Sequence, residues 1–233
     1  MRIDIKIPET LNEITLYQYQ RFEKLIANNE PSEFVNQKTI EIFCNVELKD
    51  VARIRIADVS NILTHLNNLL QQKPKLTQTF KLGVYEFGFI PKLEDISSGE
   101  FIDLETYLSS TETMHKAMAV LYRPITNKTK NKFWNRNKKK ELYNIEKYES
   151  SDKYSEVLKY MPLDIALGSM LFFYHLHNDC VTNLKDFILK EVEQSEQAKQ
   201  ILEKNGVGIN QFTQQLEETF STLKRLNDYQ SSN

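Results

Sequence analysis

Hydrophobic positions along this chain recur mostly at helical spacing, with a few stretches at strand spacing. Leu16, Tyr19, Phe22, Leu25 and Ile26 fall three and four apart, and Thr15 ahead of them can cap the helix they predict. A second helix is predicted after Pro31–Ser32, burying Phe34, Val35, Ile40 and Phe43. A third runs from about Asp58 to Gln72, with Val59, Ile62, Leu63, Leu66, Leu69 and Leu70 as its stripe. Polar residues fill the other faces, as they do on helices wrapped around a core.

Two stretches alternate instead. Arg2–Ile7 places Ile3, Ile5 and Ile7 on one face and ends at Pro8, which predicts a half-buried edge strand. Between 75 and 90, Phe80, Leu82, Val84, Tyr85, Phe87 and Phe89 read as strand, with Gly83 at the tight point of a hairpin and Pro91 as its stop. Ser97–Ser98 then precedes a helix through Phe101, Leu104, Tyr107 and Leu108. A further helix carries Met114, Ala117, Met118, Leu121 and Tyr122, and Arg123–Pro124 should end it, because a residue before proline resists the α conformation.

Beyond Pro124 the pattern breaks. Residues 126–140 hold little that is apolar except Phe133 and Trp134, so they read as an exposed loop. Leu142–Tyr148 alternates and predicts a short strand pairing with the chain around Ile125. A helix follows over Ser150–Tyr160, and Pro162 at a first helical position opens Leu163–Leu176, apolar nearly all round and suited to the centre of a bundle. Two more stripes, Leu184 to Leu202 and Phe212 to Leu223, flank the helix stop Gly206-Val207-Gly208 and predict a C-terminal helical hairpin. The sum is an α+β fold, mainly α-helical: a helical bundle with a small β-hairpin or sheet. Three parts are expected: a mixed N-terminal part over 1–125, a basic loop and short strand over 126–148, and a helical part over 149–233.

Composition narrows the class. With 233 residues, 40% apolar and 27% charged, the chain reads as an ordinary globular protein of one large domain or one with an appendage. Six Gly and six Pro favour helices over a turn-rich sandwich. The run at Leu163–Leu176 contains Asp164 and is shorter than the roughly 18 residues a membrane span needs. No charged segment followed by an apolar one opens the chain, so no secretory signal is expected. Cys44 and Cys180 lie far apart among apolar residues, as reduced thiols do.

Charge supplies the sharpest local signal. Lys128, Lys130, Lys132, Arg136, Lys138, Lys139 and Lys140 fall within 126–140 with no acid among them, and removing those seven from a net −2 leaves the rest at −9. These cations, with Trp134, are the candidate contact residues, for a protein partner or, non-specifically, for the phosphates of nucleic acid. The plainer reading is a solvated lysine loop with Trp134 folded back onto the body.

Other groupings point more weakly to chemistry. His175 and His177, near Asp179 and Cys180, offer metal-type donors, but residues two apart do not share a helical face and zinc-site spacing is absent. Glu94, Asp95, Glu100, Asp103, Glu105 and Glu112 form an acidic segment in which Glu100 and Asp103 share a face. Paired carboxylates can do acid–base work, but acids early in a helix also suit its dipole. His115 with Glu112 is an ordinary pair three apart. Arg123 is expected to meet this segment in a buried ion pair, with Asp103 as first choice of partner. No catalytic residue, metal or cofactor is predicted.

Residues 87–107, FGFIPKLEDISSGEFIDLETY, with MHKAMAVLYRPIT after them, resemble proteins from the structural-gene regions of tailed bacteriophages, among them crAss-like and related phages of Bacteroidota. KIPETLNEITLYQYQRF near the start and MPLDIALGSMLFFYHL later fit the same resemblance, which spans roughly 3–177. It implies a non-enzymatic, virion-associated or tail assembly protein, located in the particle or in the host cytoplasm during assembly. The implied partners are other virion or tail proteins, in multiple copies, and phage DNA where a packaged basic loop faces the genome. Tail assembly chaperones absent from the mature particle are the alternative the resemblance carries.

Overall fold

In a computed structural model, residues 5–93, 96–129 and 142–176 are described. The first helix, α1 (Leu16–Ala27), starts where Thr15 accepts the amide of Gln18 while the Gln18 side chain accepts the amide of Thr15, a reciprocal capping box. Its inward face buries Leu16, Tyr19 and Phe22. α2 (Glu33–Cys44) is capped by Ser32 and ends at Asn45, whose left-handed backbone (φ 53°) turns the chain away. A short helix not expected from periodicity, α3 (Leu48–Val51), follows, and then α4 (Ile56–Leu70). Val35, Ile40 and Phe43 of α2 are buried as expected, but Phe34 is half-exposed, because it lies one position off that face.

The sheet is antiparallel, in the order β1 (Thr79–Leu82), β2 (Tyr85–Phe89), β3 (Tyr122–Thr129), β4 (Leu142–Ile145). Gly83 turns the hairpin with φ +58° while Val84 keeps a negative φ, the pattern of a turn that needs glycine only at its first central position. Between the hairpin and β3 lie α5 (Ser98–Leu108) and α6 (Met114–Leu121). All but one of α6's residues are buried, so this helix is enclosed on nearly every side.

β3 corrects an expectation. α6 stops at Leu121, and Tyr122, placed in that helix by its spacing, instead opens a strand that runs on through Arg123 and Pro124. Proline lacks the N–H a central strand donates, and it is tolerated here because of where pairing changes hands. β3 pairs with β2 only through Pro124, opposite Phe87, and pairs with β4 from Ile125, opposite Ile145. A bulge between Ile125 and Asn127 follows at once. Leu142–Ile145 does pair with the chain at Ile125, as its alternation predicts.

The N-terminal strand is a second correction. Ile5 and Ile7 pack against the core, but residues 5–8 join no ladder; Arg2 and Ile3 lie outside the described residues. The segment is held by its side chains and by His65, whose Nε2 lies 2.9 Å from the Pro8 carbonyl.

α7 (Asp152–Leu158) is followed by α8, helical from 163 through 176, with Pro162 just ahead of its first residue. The α7–α8 turn is tied to the start of α1. Leu16 N donates to Met161 O (3.0 Å), Tyr17 N to Lys159 O (2.7 Å) and Leu163 N to Ile14 O (2.8 Å). Gly168 lets α8 lie on the chain before β1, since a Cβ there would fall 2.4 Å from the Lys75 carbonyl oxygen. Tyr122, fully buried, locks the same junction, its hydroxyl 2.6 Å from Thr77 O and 2.7 Å from Ser169 Oγ. One core therefore runs from α1 to α8, and the fold is α+β, mainly helical. The expected C-terminal hairpin lies outside the described residues.

Candidate functional site

The acidic segment and Arg123 converge where α5 crosses the sheet. α5 begins with a second capping box: Ser97 Oγ accepts the Glu100 amide (3.3 Å), and Glu100 Oε2 accepts from Ser97 N (2.8 Å) and Oγ (2.7 Å). This turns the Glu100 carboxylate inward, where its other oxygen meets Arg123 Nη2 at 2.7 Å. Tyr122 and Arg123 point to opposite faces of β3, and both are buried, so the sheet is covered on both sides here.

The partner of Arg123 is thus Glu100 and not Asp103. Asp103 sits one turn further on and accepts from the Tyr148 hydroxyl (2.5 Å), while the Arg123 guanidinium lies 5.6 Å from the centre of the Tyr148 ring. Burial and the Asp103 carboxylate push the Tyr148 hydroxyl well above the usual phenol range. Next to it, Glu146 takes Lys153 and the Tyr154 hydroxyl, and these contacts hold its carboxyl below the usual range. Both carboxylates considered for acid–base work are therefore occupied in joining α5 to β3 and to the chain after β4. Tyr148 carries no mark in the sequence except its place at the end of an alternating run.

The remaining acids divide. Glu105 and Glu112 are exposed; Glu94 and Asp95 lie outside the described residues. His115 does not pair with the Glu112 side chain. Its Nδ1 lies 3.0 Å from Gln20 Nε2, which also donates to the carbonyls of Thr111 (2.7 Å) and Glu112 (3.1 Å). Burial, with Lys159 nearby, lowers the basicity of that imidazole.

Of the basic tract, only Lys128 falls among described residues whose side chains are placed. It is not in a loop: it stands in β3, opposite Tyr143, and its Nζ lies 2.5 Å from Glu86 Oε1. Residues 126–129 of the expected loop over 126–140 are instead strand, held by β4. Lys130, Lys132, Phe133, Trp134, Arg136, Lys138, Lys139 and Lys140 lie outside the described residues. So do His177, Asp179 and Cys180; His175 is exposed at the end of α8, and Cys44 is buried. Among the described residues no cluster of three or more His, Cys, Asp or Glu is placed to hold a metal ion, and no helix is long and apolar enough to cross a membrane.

Two features escaped the sequence. Glu23 of α1 is buried with no cation beside it among the described residues, and burial raises its carboxyl to about 7 despite a hydrogen bond with Tyr19; its Oε1 has no partner among the described residues. A glutamate one turn after Tyr19 on the apolar face was the available signal. The second is an apolar groove of about 660 Å³ between α5 and α8. Its walls are Leu93, Ile96, Leu104 and Leu108 on one side and Phe173 and Leu176 on the other. Phe101, expected in the core, stands on the rim at 55% exposure beside Ile102 at 60%. The inward face of α5 is set by Glu100, Leu104 and Leu108, which turns the two apolar neighbours outward.

Comparison with protein-family models, with curated proteins and with solved structures finds no match for this chain.

Proposed function

We propose that this chain is a non-enzymatic structural protein of a tailed bacteriophage, a virion component or tail-morphogenesis factor that acts through protein–protein contacts. Its place is the particle, or the host cytoplasm while particles assemble. Three motifs within 6–126 and the 161–176 segment support the phage lineage through their resemblance to virion and tail proteins.

The observation that carries the non-enzymatic reading is the engagement of Glu100 and Asp103. Each is committed to a structural partner, Arg123 and Tyr148 respectively, and Glu100 also closes a helix cap. A general acid or base must reach a substrate proton, and these two face other elements of the fold. The exposed pair Phe101–Ile102 beside an apolar groove is surface of the kind that protein contacts use. Mass spectrometry of purified particles tests the proposal. Stoichiometric presence marks a virion component; absence from particles with association with unfinished tails marks an assembly factor, and absence from both contradicts the proposal.

A further inference from the structure

We infer that Gln20 and His115 form an acid-sensitive latch, which holds α1 to the turn ahead of α6 while the imidazole is neutral and lets go when the ring gains a second proton. Both side chains are buried, and they lie 95 positions apart in the chain. The turn is a single 3-10 turn, Thr111–Thr113, and His115 stands in the first turn of α6 behind it.

Gln20 Nε2 lies 2.7 Å from the Thr111 carbonyl oxygen and 3.1 Å from that of Glu112. Turned the other way, the amide would set its own oxygen against two carbonyl oxygens, so the –NH2 must face the turn. The same nitrogen lies 3.0 Å from His115 Nδ1. An amide –NH2 only donates, so Nδ1 is the accepting nitrogen and the neutral ring carries its proton on Nε2. A proton on Nδ1 would set N–H against N–H in a buried site. The Glu112 carbonyl favours such a proton, but it already receives from Gln20.

Burial acts most strongly on this imidazole and holds it below its ordinary 6.5. Lys159, at the end of α7, and Lys116, on α6 itself, also oppose a further proton, while Glu156 of α7 favours one. These charges are themselves paired, Lys116 with Asp152 (3.1 Å) and Lys159 with Glu156 (2.7 Å). On the α1 side, Lys24 pairs with Glu112 (3.5 Å) and Glu23 hydrogen-bonds with Tyr19. The Lys24–Glu112 pair also ties α1 to the turn, but it is exposed and adds little in water. A ring released from the latch protonates first as pH falls. The latch therefore weakens below about pH 6.5, by at most about tenfold in its opening equilibrium per pH unit. Glu23 acts with the opposite sign on the stability of the whole fold, so the readout must be local to the latch.

NMR on the full-length protein tests this, with the His115 ring assigned through its backbone amide. Above about pH 7.5 the ring nitrogens should show a neutral imidazole protonated on Nε2. Between about pH 7 and about pH 5.5, exchange of the Gln20 side-chain amide protons, corrected for intrinsic rates, should accelerate severalfold, up to about tenfold. In H115N, whose Oδ1 stands in for the accepting Nδ1 and does not titrate, that acceleration should vanish. Gln20→Met, which removes the donor, should raise the midpoint at which His115 titrates. A ring protonated on Nδ1 at neutral pH overturns the inference. So does Gln20 exchange that stays flat through the acid range, or acceleration that persists in H115N. Where H115N fails to fold, the wild-type tautomer and the Q20M midpoint decide, and an unmoved midpoint counts against the latch. The inference is independent of the phage proposal, and none of these outcomes bears on particle association.

Discussion

Arg123 Nη2 and Glu100 Oε1 lie 2.7 Å apart in a site where the two residues keep only 8% and 6% of their surfaces exposed. The pair joins the helix that follows the hairpin to the strand that follows α6. Its members are 23 positions apart. A buried pair is costly to break, because the survivor is left charged and desolvated; replacing both members together removes that penalty.

Arg123→Met should therefore destabilise by about 3–5 kcal/mol, and Glu100→Gln by a similar amount. R123M/E100Q should lose less than the sum of the two. Chemical denaturation of the four proteins gives the coupling directly, and additive losses would mean that the pair contributes nothing as a pair.

Gly168→Ala should cost about 3 kcal/mol, at the upper end of overpacking, because the new methyl would meet the Lys75 carbonyl and not a flexible side chain. Gly99→Ala, where a Cβ meets nothing, is the control and should leave the melting temperature within about 2 °C. Equal melting of both variants would place α8 further from residue 75 than described.

Glu23 makes stability fall as pH rises. Its carboxyl moves from an ordinary 4.5 to about 7 on folding, so the folded state holds a proton that the unfolded state releases between those values. The favourable contribution is whole below pH 4.5 and lost progressively up to about pH 7, for up to about 3 kcal/mol. Glu23→Gln should be more stable than the parent at pH 8 and nearly equal to it at pH 4.5. Parallel stability profiles across that window would contradict the assignment.

The local rules were the legible part of this fold. Thr15 before an amphipathic run, Gly83 between alternating runs, and Leu142–Ile145 opposite Ile125 each combine a propensity with a near partner, and each element forms where its pattern places it. What the sequence concealed depends on distant partners. Pro124 argues against a strand until one sees that β2 lets go where β4 takes hold. Ile5 and Ile7 alternate like a strand yet meet side chains, with no ladder. Glu100 and Asp103 are equivalent on a helical wheel, and only the cap at Ser97 decides which one turns towards Arg123. Phe101 reads as core because its helix has an apolar residue on either side of the buried face.

The most direct test of the proposed role is to fractionate a lysate of phage-infected cells on a density gradient and quantify this protein in each fraction. Co-migration with finished particles, or with unfinished tails, is the result the account predicts. Recovery only in the free protein pool, with none in particles or tail intermediates, would contradict it.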